Sequence, residues 1–168
     1  MGGARRIIGI DPGLRKTGWG IIDSDGNRLS FVACGTISPD AKSGLPERLH
    51  ALHAELKELI AAFRPDEAAV EETFVNAGAR SALSLGQARG IALMTPASAG
   101  LSVGEYAANL VKKSLTGNGH AEKHQVAAMV KTLLPGARMS AADESDALAI
   151  AICHAHHRTT QMKLRAAS

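Results

Sequence analysis

Aromatic residues and cysteines are scarce in this chain, and long apolar runs are absent. Phenylalanine, tryptophan and tyrosine together make up 3% of it, which argues against the aromatic platform on which many single-strand binders stack bases. The two cysteines, Cys34 and Cys153, have no metal-binding spacing, and we expect free buried thiols. No segment reaches the roughly 18 apolar residues of a membrane-spanning helix, and residues 1–6 lack the apolar stretch of a secretory signal. These absences predict a cytoplasmic protein without membrane contact.

The remaining composition is that of an ordinary globular domain, with 45% apolar and 21% charged residues. A length of 168 residues suits one domain with a substantial core, and we take residues 1–168 as that domain. The net charge of +3 permits an anionic partner but does not require one. Composition alone therefore leaves the function open.

Hydrophobic periodicity predicts a mixed α/β sheet with helices on its faces. The dipeptide Asp25-Gly26 is a hairpin signal, so the first three strands form a meander. A helix precedes the fourth strand, which makes that strand parallel to a neighbour. We expect the polar segment 159–168 to be a flexible tail. The predicted strands cover 5–11, 17–23, 28–37, 68–72 and 101–104, and the predicted helices cover 45–63, 78–94, 105–115, 121–133 and 142–157.

Small residues recur every four positions in the predicted helix 78–94, at Gly78, Ala82, Gly86 and Gly90. Residues at this spacing share one face of a helix. Each interior glycine costs about 1 kcal/mol relative to alanine, so the stripe makes sense where another backbone approaches closely. Spacing leaves open whether that backbone belongs to the chain's own core or to a second subunit.

Two predicted strands end in a carboxylate, namely Asp11 and Glu71. A carboxylate beside an apolar strand is costly unless something pairs with it. Asp11 alone is also compatible with a turn-forming role before Pro12-Gly13, whereas Glu71 has little local use at a strand end. Both acids lie near the carboxyl ends of their strands, where ligand sites gather in open α/β sheets.

Two further carboxylates, Asp143 and Asp146, are three residues apart at the start of the last long helix, so they share a helix face. Taken alone, they are also explained as an N-cap and a first-turn acid. Four acids that met would raise one another's pKa unless a cation lay among them. Oxygen ligands select Mg²⁺ or Mn²⁺, and two such ions about 3.5–4 Å apart would suit phosphodiester hydrolysis.

The motifs resemble those of the RuvC family of bacterial Holliday-junction resolvases, in the family's order and over about residues 7–157. They are "GIDPGLRKTGWGII", "AVEETF", "SALSLGQARG", "EYAANLVKKSLTGNGHAEKHQVAAMV" and "ADESDALAIAICH". The resemblance implies an RNase H-like fold with a mixed five-stranded sheet and helices on both faces. It also implies a homodimer that nicks four-way DNA junctions symmetrically with Mg²⁺, in homologous recombination and DNA repair. A branch-migration complex is the further partner that the family implies.

The resemblance also implies roles for particular residues. Carried over by motif, the catalytic residues and metal ligands are Asp11, Glu71, Asp143 and Asp146. Phe74 corresponds to the aromatic residue that contacts bases near the junction centre, and Lys112 and Lys123 correspond to lysines placed against the DNA backbone. The family's dimer interface includes the helix after the glutamate strand, which favours the second-subunit explanation of the small-residue stripe.

Other charged and metal-binding side chains carry simpler explanations. Glu144 lies about 100° from Asp143 on a helix, so we expect it to point away from the metals, and strand alternation turns Glu72 away from Glu71. The histidines at 154, 156 and 157, beside Cys153, match no standard zinc pattern, and we interpret them as a satisfied or exposed helix end.

Two alternative functions remain from the sequence. A non-catalytic junction-binding module would use the acids structurally, and Mg²⁺-dependent nicking would distinguish it from an enzyme. An ATPase of the actin or sugar-kinase type also begins with an aspartate-glycine hairpin, but it needs two such domains and lacks the late "DESDALA" helix.

Overall fold

The computed structural model describes residues 3–72 and 78–167. A five-stranded sheet forms its centre, in the order β3-β2-β1-β4-β5. The strands are β1 (Arg5–Asp11), β2 (Thr17–Asp25), β3 (Arg28–Ile37), β4 (Glu67–Glu72) and β5 (Ser102–Ala107). The helices are α1 (Leu45–Phe63), α2 (Ala79–Ser98), α3 (Ala108–Thr116), α4 (Lys123–Leu133) and α5 (Ala142–Ala166).

The pairing of the strands confirms the predicted meander and crossover. β1 pairs antiparallel with β2, and β2 pairs antiparallel with β3 through a hairpin in which Gly26 adopts a positive φ of 58°. β1 and β4 are parallel, as are β4 and β5, because α1 and α2 return the chain to the same edge before each new strand. The carboxyl ends of β1 and β4, which carry Asp11 and Glu71, therefore lie side by side.

Helices cover both faces of the sheet. On one face, α1 and α2 pack through Leu52, Leu56 and Ala88 against side chains such as Ile8 and Ile10. On the other face, α5 lies on the sheet and is covered in turn by α3 and α4. Helix α5 is buried along its middle, from Ala147 to Cys153, as its run of small and aliphatic residues predicts.

Glycines in the strands allow α5 to lie unusually close to the sheet. A Cβ atom at Gly9 would lie 2.2 Å from the carbonyl oxygen of Ala147, and one at Gly18 would lie 2.1 Å from that of Asp143. No real side chain tolerates such contacts, so any larger residue at either strand position would push the helix outward. The small residues thus set the height of the α5 aspartates above the ends of the strands.

Three elements extend by three or more residues beyond their predicted ends. Helix α2 continues to Ser98 and includes Pro96 near its last turn. Strand β5 extends to Ala107, where residues from 105 onward were expected to be helical. Helix α5 runs to Ala166, so residues 159–166 are helical where a flexible tail was expected, since the polar surface of a helix end resembles a tail in sequence.

Candidate active site

Asp11 is the last residue of β1, and its side chain is partly buried at the carboxyl edge of the sheet. The next strand along the chain begins at Thr17, whose hydroxyl donates to the carbonyl oxygen of Gly13 at 2.7 Å and accepts from the amide of Gly13 at 3.2 Å. These two bonds close the turn after Asp11 without using its carboxylate. The turn-forming alternative for Asp11 is therefore not what the structure displays.

Asp143 and Asp146 project from the first turns of α5 towards Asp11. One carboxylate oxygen from each of the three residues lies within 4.8 Å of the others. Among residues 3–72 and 78–167, this is the one group of three or more potential metal ligands at such distances. All its donor atoms are carboxylate oxygens, which suits a hard divalent cation such as Mg²⁺ or Mn²⁺.

Glu71 lies at the end of β4 and lines the same cavity as the three aspartates. It is not part of the tight aspartate group, so the structure brings three of the four predicted carboxylates into ligand distance and places the fourth on the wall beside them. The carbonyl oxygen of Glu71 accepts a hydrogen bond of 3.2 Å from Arg89 Nε on α2, which ties the end of β4 to that helix. The cavity has a volume of about 330 Å³.

Burial and the crowding of negative charge raise the proton affinity of Asp11, Glu71 and Asp146. Burial, followed by the charges of Glu71, Asp146 and Asp143, raises the pKa of Asp11 to about 7. Burial also raises the pKa of Glu71, with a further contribution from the charge of Asp146. The pKa of Asp146 is raised as well, chiefly by burial and against the opposing effect of Lys123. A bound cation would remove this penalty, because it favours the ionised form of every carboxylate around it.

Lys112 and Lys123 line the same cavity, from α3 and α4 respectively. The Lys123 ammonium lies 3.8 Å from Asp146 Oδ2, and its side chain is 83% exposed, so the contact is a loose surface pair. In the described residues, Asp11, Glu71 and Asp143 have no ion pair within 4.0 Å. Within the described residues, these three acids are therefore not neutralised by a fixed cation. Phe74, the predicted base contact, lies outside the described residues.

Glu144 has a structural role that the sequence analysis did not predict. As expected, it does not join the aspartates: its carboxylate accepts hydrogen bonds from the amide of Ser140 at 2.7 Å and from the Ser140 hydroxyl at 3.0 Å. The Cys34 thiol on β3 lies 3.6 Å from the same carboxylate. Glu144 thus caps the start of α5, which has no side-chain bond from its N-cap residue Ala141, and fixes the turn that leads to Asp143. The signal was present, since a glutamate at the third helical position often reaches back over the N-terminus.

The histidines of α5 form no metal site in the part of the chain that is described. His154 is buried, and its two ring nitrogens lie 2.7 Å from the Tyr106 hydroxyl and 2.7 Å from Glu67 Oε2. Arg158 Nε donates to the other Glu67 oxygen at 2.8 Å. This network joins α5 to β4 and β5, and it confirms the interpretation of His154 as a satisfied structural histidine.

Comparison with known proteins identifies relatives over nearly the whole length. The sequence model of the family described as "Crossover junction endodeoxyribonuclease RuvC" matches residues 7–154. The protein of that name from Paramagnetospirillum magneticum is 64% identical over 159 residues, which is 95% of this chain and 96% of the relative. The one from Rhodopseudomonas palustris is 58% identical over 161 residues, covering 96% and 92% of the two chains.

Solved structures give the same result for the fold. The Thermus thermophilus RuvC structure is 32% identical, with a TM-score of 0.84 and coverage of 93% of this chain and 96% of that one. The same protein in complex with a Holliday junction substrate gives a TM-score of 0.85. The yeast mitochondrial Holliday junction resolvase, at 13% identity and a TM-score of 0.65, shares the fold. These matches confirm the RNase H-like architecture with a mixed five-stranded sheet. Among the described residues, no helix combines the length and hydropathy needed to cross a membrane.

Proposed function

The chain belongs to the family of RuvC crossover junction endodeoxyribonucleases, and from this premise we propose that it resolves four-way (Holliday) DNA junctions. It does so by paired symmetric nicks, through metal-assisted hydrolysis of phosphodiester bonds, in homologous recombination and DNA repair. The observation that carries the catalytic part is the group of three aspartates within 4.8 Å of one another, with Glu71 on the wall of the same cavity.

The carboxylates have a defined task in this proposal. Asp11, Asp143 and Asp146 hold Mg²⁺, for which Mn²⁺ can substitute, and Glu71 completes the ligand set, with two ions in each site. Bound divalent ions supply a Lewis acid that activates water and stabilises the leaving 3′-oxygen of the phosphodiester. The chain's part is to hold the acids at fixed positions, because β1, β4 and α5 are locked together by the core and by the Glu144 cap. The expected product is a nick with a 5′-phosphate.

Basic side chains of the same cavity would hold the DNA. Lys112 and Lys123 stand beside the carboxylates, where their ammonium groups would contact phosphates next to the one that is cut. Such contacts supply affinity without reading sequence. Phe74 would contact bases near the junction centre, as the resemblance implies.

Assembly completes the proposal. A homodimer presents two active sites to a substrate with two-fold symmetry, so that paired cuts leave two duplexes. A branch-migration complex delivers the junction, and the cytoplasm is the expected location.

A non-catalytic junction-binding module remains the second candidate, because the same lysines would serve it without hydrolysis. The ATPase alternative has no support in the family match.

The test uses a synthetic four-way junction with the wild-type chain and the Asp11→Asn variant. We expect the wild-type chain to nick two strands of like polarity in Mg²⁺ and not in EDTA. Asp11→Asn removes one ligand charge, so cleavage should fall by at least 100-fold, an amount on the order of the loss of an essential catalytic group. Junction binding, measured by electrophoretic mobility shift, should remain.

The outcomes separate the candidates. Binding without cleavage by the wild-type chain would favour the junction-binding module. Cleavage by Asp11→Asn at the wild-type rate would show that the cluster of aspartates is not the catalytic centre. Glu58→Gln, which removes an exposed carboxylate of α1, is the matched control and should cut normally.

A further inference from the structure

A second cavity adjoins the carboxylates on the side of the turn between β1 and β2. It is open to solvent, has a volume of about 680 Å³, and is lined by residues 13–16, Ala41 and Asp143. The cavity of Lys112 and Lys123 has a different lining, and Asp143 is the residue that the two share. The cluster of acids therefore lies between two surfaces. Only the surface with Lys112 and Lys123 has a role in the proposed function.

The turn that forms this second surface is closed by internal hydrogen bonds. Thr17 is fully buried, and its hydroxyl bonds to both the amide and the carbonyl oxygen of Gly13. A Cβ atom at Gly13 would lie 2.3 Å from the carbonyl oxygen of Lys16, so the chain folds back on itself more tightly than a larger residue would allow. The two residues that precede Thr17 are thus held at a fixed height beside Asp143.

A second set of contacts anchors the turn to the sheet and to α1. The side chain of Leu14 packs on the core cluster that contains Ile8, Ile10 and Leu52. Its carbonyl oxygen accepts a hydrogen bond of 3.1 Å from the guanidinium of Arg48. The turn is therefore held by its own hydrogen bonds and by its contacts with the core and α1. Its outer side exposes Arg15 and Lys16 to solvent.

Arg15 and Lys16 are exposed and line the cavity with Asp143. Within residues 3–72 and 78–167, neither has a carboxylate within the 4.0 Å of an ion pair. The acids repel a polyanion such as DNA. Two cations without an ion-pair partner beside them lower the electrostatic cost of bringing that polyanion to the site. Because the backbone of the turn is already ordered in the free chain, it would lose little conformational freedom when DNA binds.

We propose that Arg15 and Lys16 form a second phosphate-binding site, which holds the DNA strand being cut on the side of Asp143 away from Lys112 and Lys123. This inference rests on the proposed function, because it assumes that a DNA strand crosses the carboxylates. A strand with one phosphate at the carboxylates continues in both directions, and each direction brings further negative charge towards the acids. The lysines of α3 and α4 compensate this charge on one side, and the turn compensates it on the other.

Binding measured against salt concentration tests the site. The double variant Arg15→Gln/Lys16→Gln and the wild-type chain would be titrated with a four-way junction in EDTA, where no cleavage occurs, at several salt concentrations. Each phosphate contact contributes about −0.9 to the slope of log K against log salt, so the slope should become shallower by about 2 and the affinity at low salt should fall about tenfold or more. The control Arg28→Gln/Lys57→Gln removes two exposed cations away from the site and should retain the wild-type slope.

Chemically neutral linkages locate the contact. Methylphosphonate substitution, one position at a time along the cut strand, should weaken wild-type binding at phosphates on both sides of the cut. On the side that the turn contacts, the double variant should lose no further affinity, because the contact is already absent. On the side of Lys112 and Lys123, its losses should equal those of the wild type. Two results would overturn the second phosphate site while leaving the proposed function intact. One is a salt slope of the double variant equal to that of the control. The other is that every methylphosphonate weakens binding of the double variant as much as it weakens binding of the wild type. A wild-type chain that neither binds nor nicks the junction would overturn both.

Discussion

Asp11 lies at the edge of the core and has several like-charged neighbours. Burial and the charges of Glu71, Asp146 and Asp143 raise its pKa to about 7. A folded chain without metal therefore binds protons more strongly at this site than an unfolded chain does. Ionisation of Asp11 opposes folding in the absence of a cation, and a bound divalent ion reverses that effect.

The sign of the resulting pH dependence follows from linkage. Between about pH 4 and pH 7, the metal-free native state holds more protons at Asp11 than the unfolded state, so this group lowers stability progressively as the pH rises through that window. Asp11→Asn should therefore be more stable than the wild-type chain at pH 8 in EDTA. Since a tenfold change in proton affinity corresponds to about 1.4 kcal/mol, the gain is at most about 4 kcal/mol.

Urea unfolding in EDTA at pH 5 and pH 8 measures this difference. The gain of Asp11→Asn should be larger at pH 8 than at pH 5, and added Mg²⁺ should stabilise the wild-type chain at pH 8 more than the variant. Glu58→Gln serves as the comparison for a lost exposed carboxylate. A gain for Asp11→Asn that does not change with pH would contradict the raised pKa.

At the scale of single elements, α5 shows what the sequence could and could not reveal. The pair Asp143 and Asp146 was predictable because the spacing of three residues is local. The close approach of α5 to β1 also depends on a single small residue of the strand, Gly9. The cap from Glu144 to Ser140 also had a local signal, the position of Glu144 in the first turn. The close approach at Gly18 was not predictable, because it depends on how the helix start is placed against β2.

Similar limits apply to the ends of elements. The periodic segments of β1 and α1 matched the structure to the residue, since caps, turns and apolar spacing all agree there. The extension of β5 to Ala107 comes instead from pairing with β4, in which Glu71 faces Tyr106 across the ladder. Such pairing is a tertiary interaction, so a local helical pattern gave the wrong element over residues 105–107.

Helix α2 presents its small-residue stripe outward. Gly86 and Gly90 are exposed, and a Cβ atom at either would meet nothing within 4 Å of it in the described part of the chain. The core explanation of the stripe is therefore wrong, and the exposed side chains of Leu83 and Met94 on the same helix add apolar surface. A homodimer interface, which the proposed function includes, would cover these groups.

A charged substitution on the stripe tests that interface. Gly90→Glu should leave the fold intact, because the position is open, and it should improve helix propensity by roughly 0.5–1 kcal/mol. In a dimer, however, it would bury an unpaired charge, so sedimentation should show at least a tenfold weaker dimer. Ala62→Glu on the exposed side of α1 is the matched control. A wild-type monomer, or an unchanged dimer of Gly90→Glu, would contradict the interface.

The whole molecule is a rigid frame that brings three distant segments of the chain together. The mixed sheet places Asp11 and Glu71 at neighbouring strand ends, and the core between α5 and the sheet holds the other two acids above them. The resemblance of the motifs to those of the RuvC family was sufficient to predict that these acids share one site, whereas the residues alone left that open. The position of Arg15 and Lys16 beside Asp143 could be identified only from the three-dimensional structure, since the sequence alone does not show that the turn faces Asp143.

The central claim is that the carboxylates gather to hold a divalent cation. Anomalous diffraction from crystals of the chain soaked in Mn²⁺ tests it most directly. The account predicts a manganese peak within bonding distance of oxygens from Asp11, Asp143 and Asp146, which disappears in Asp11→Asn crystals treated in the same way. Well-ordered carboxylates with no manganese between them, or manganese bound only elsewhere on the chain, would contradict it.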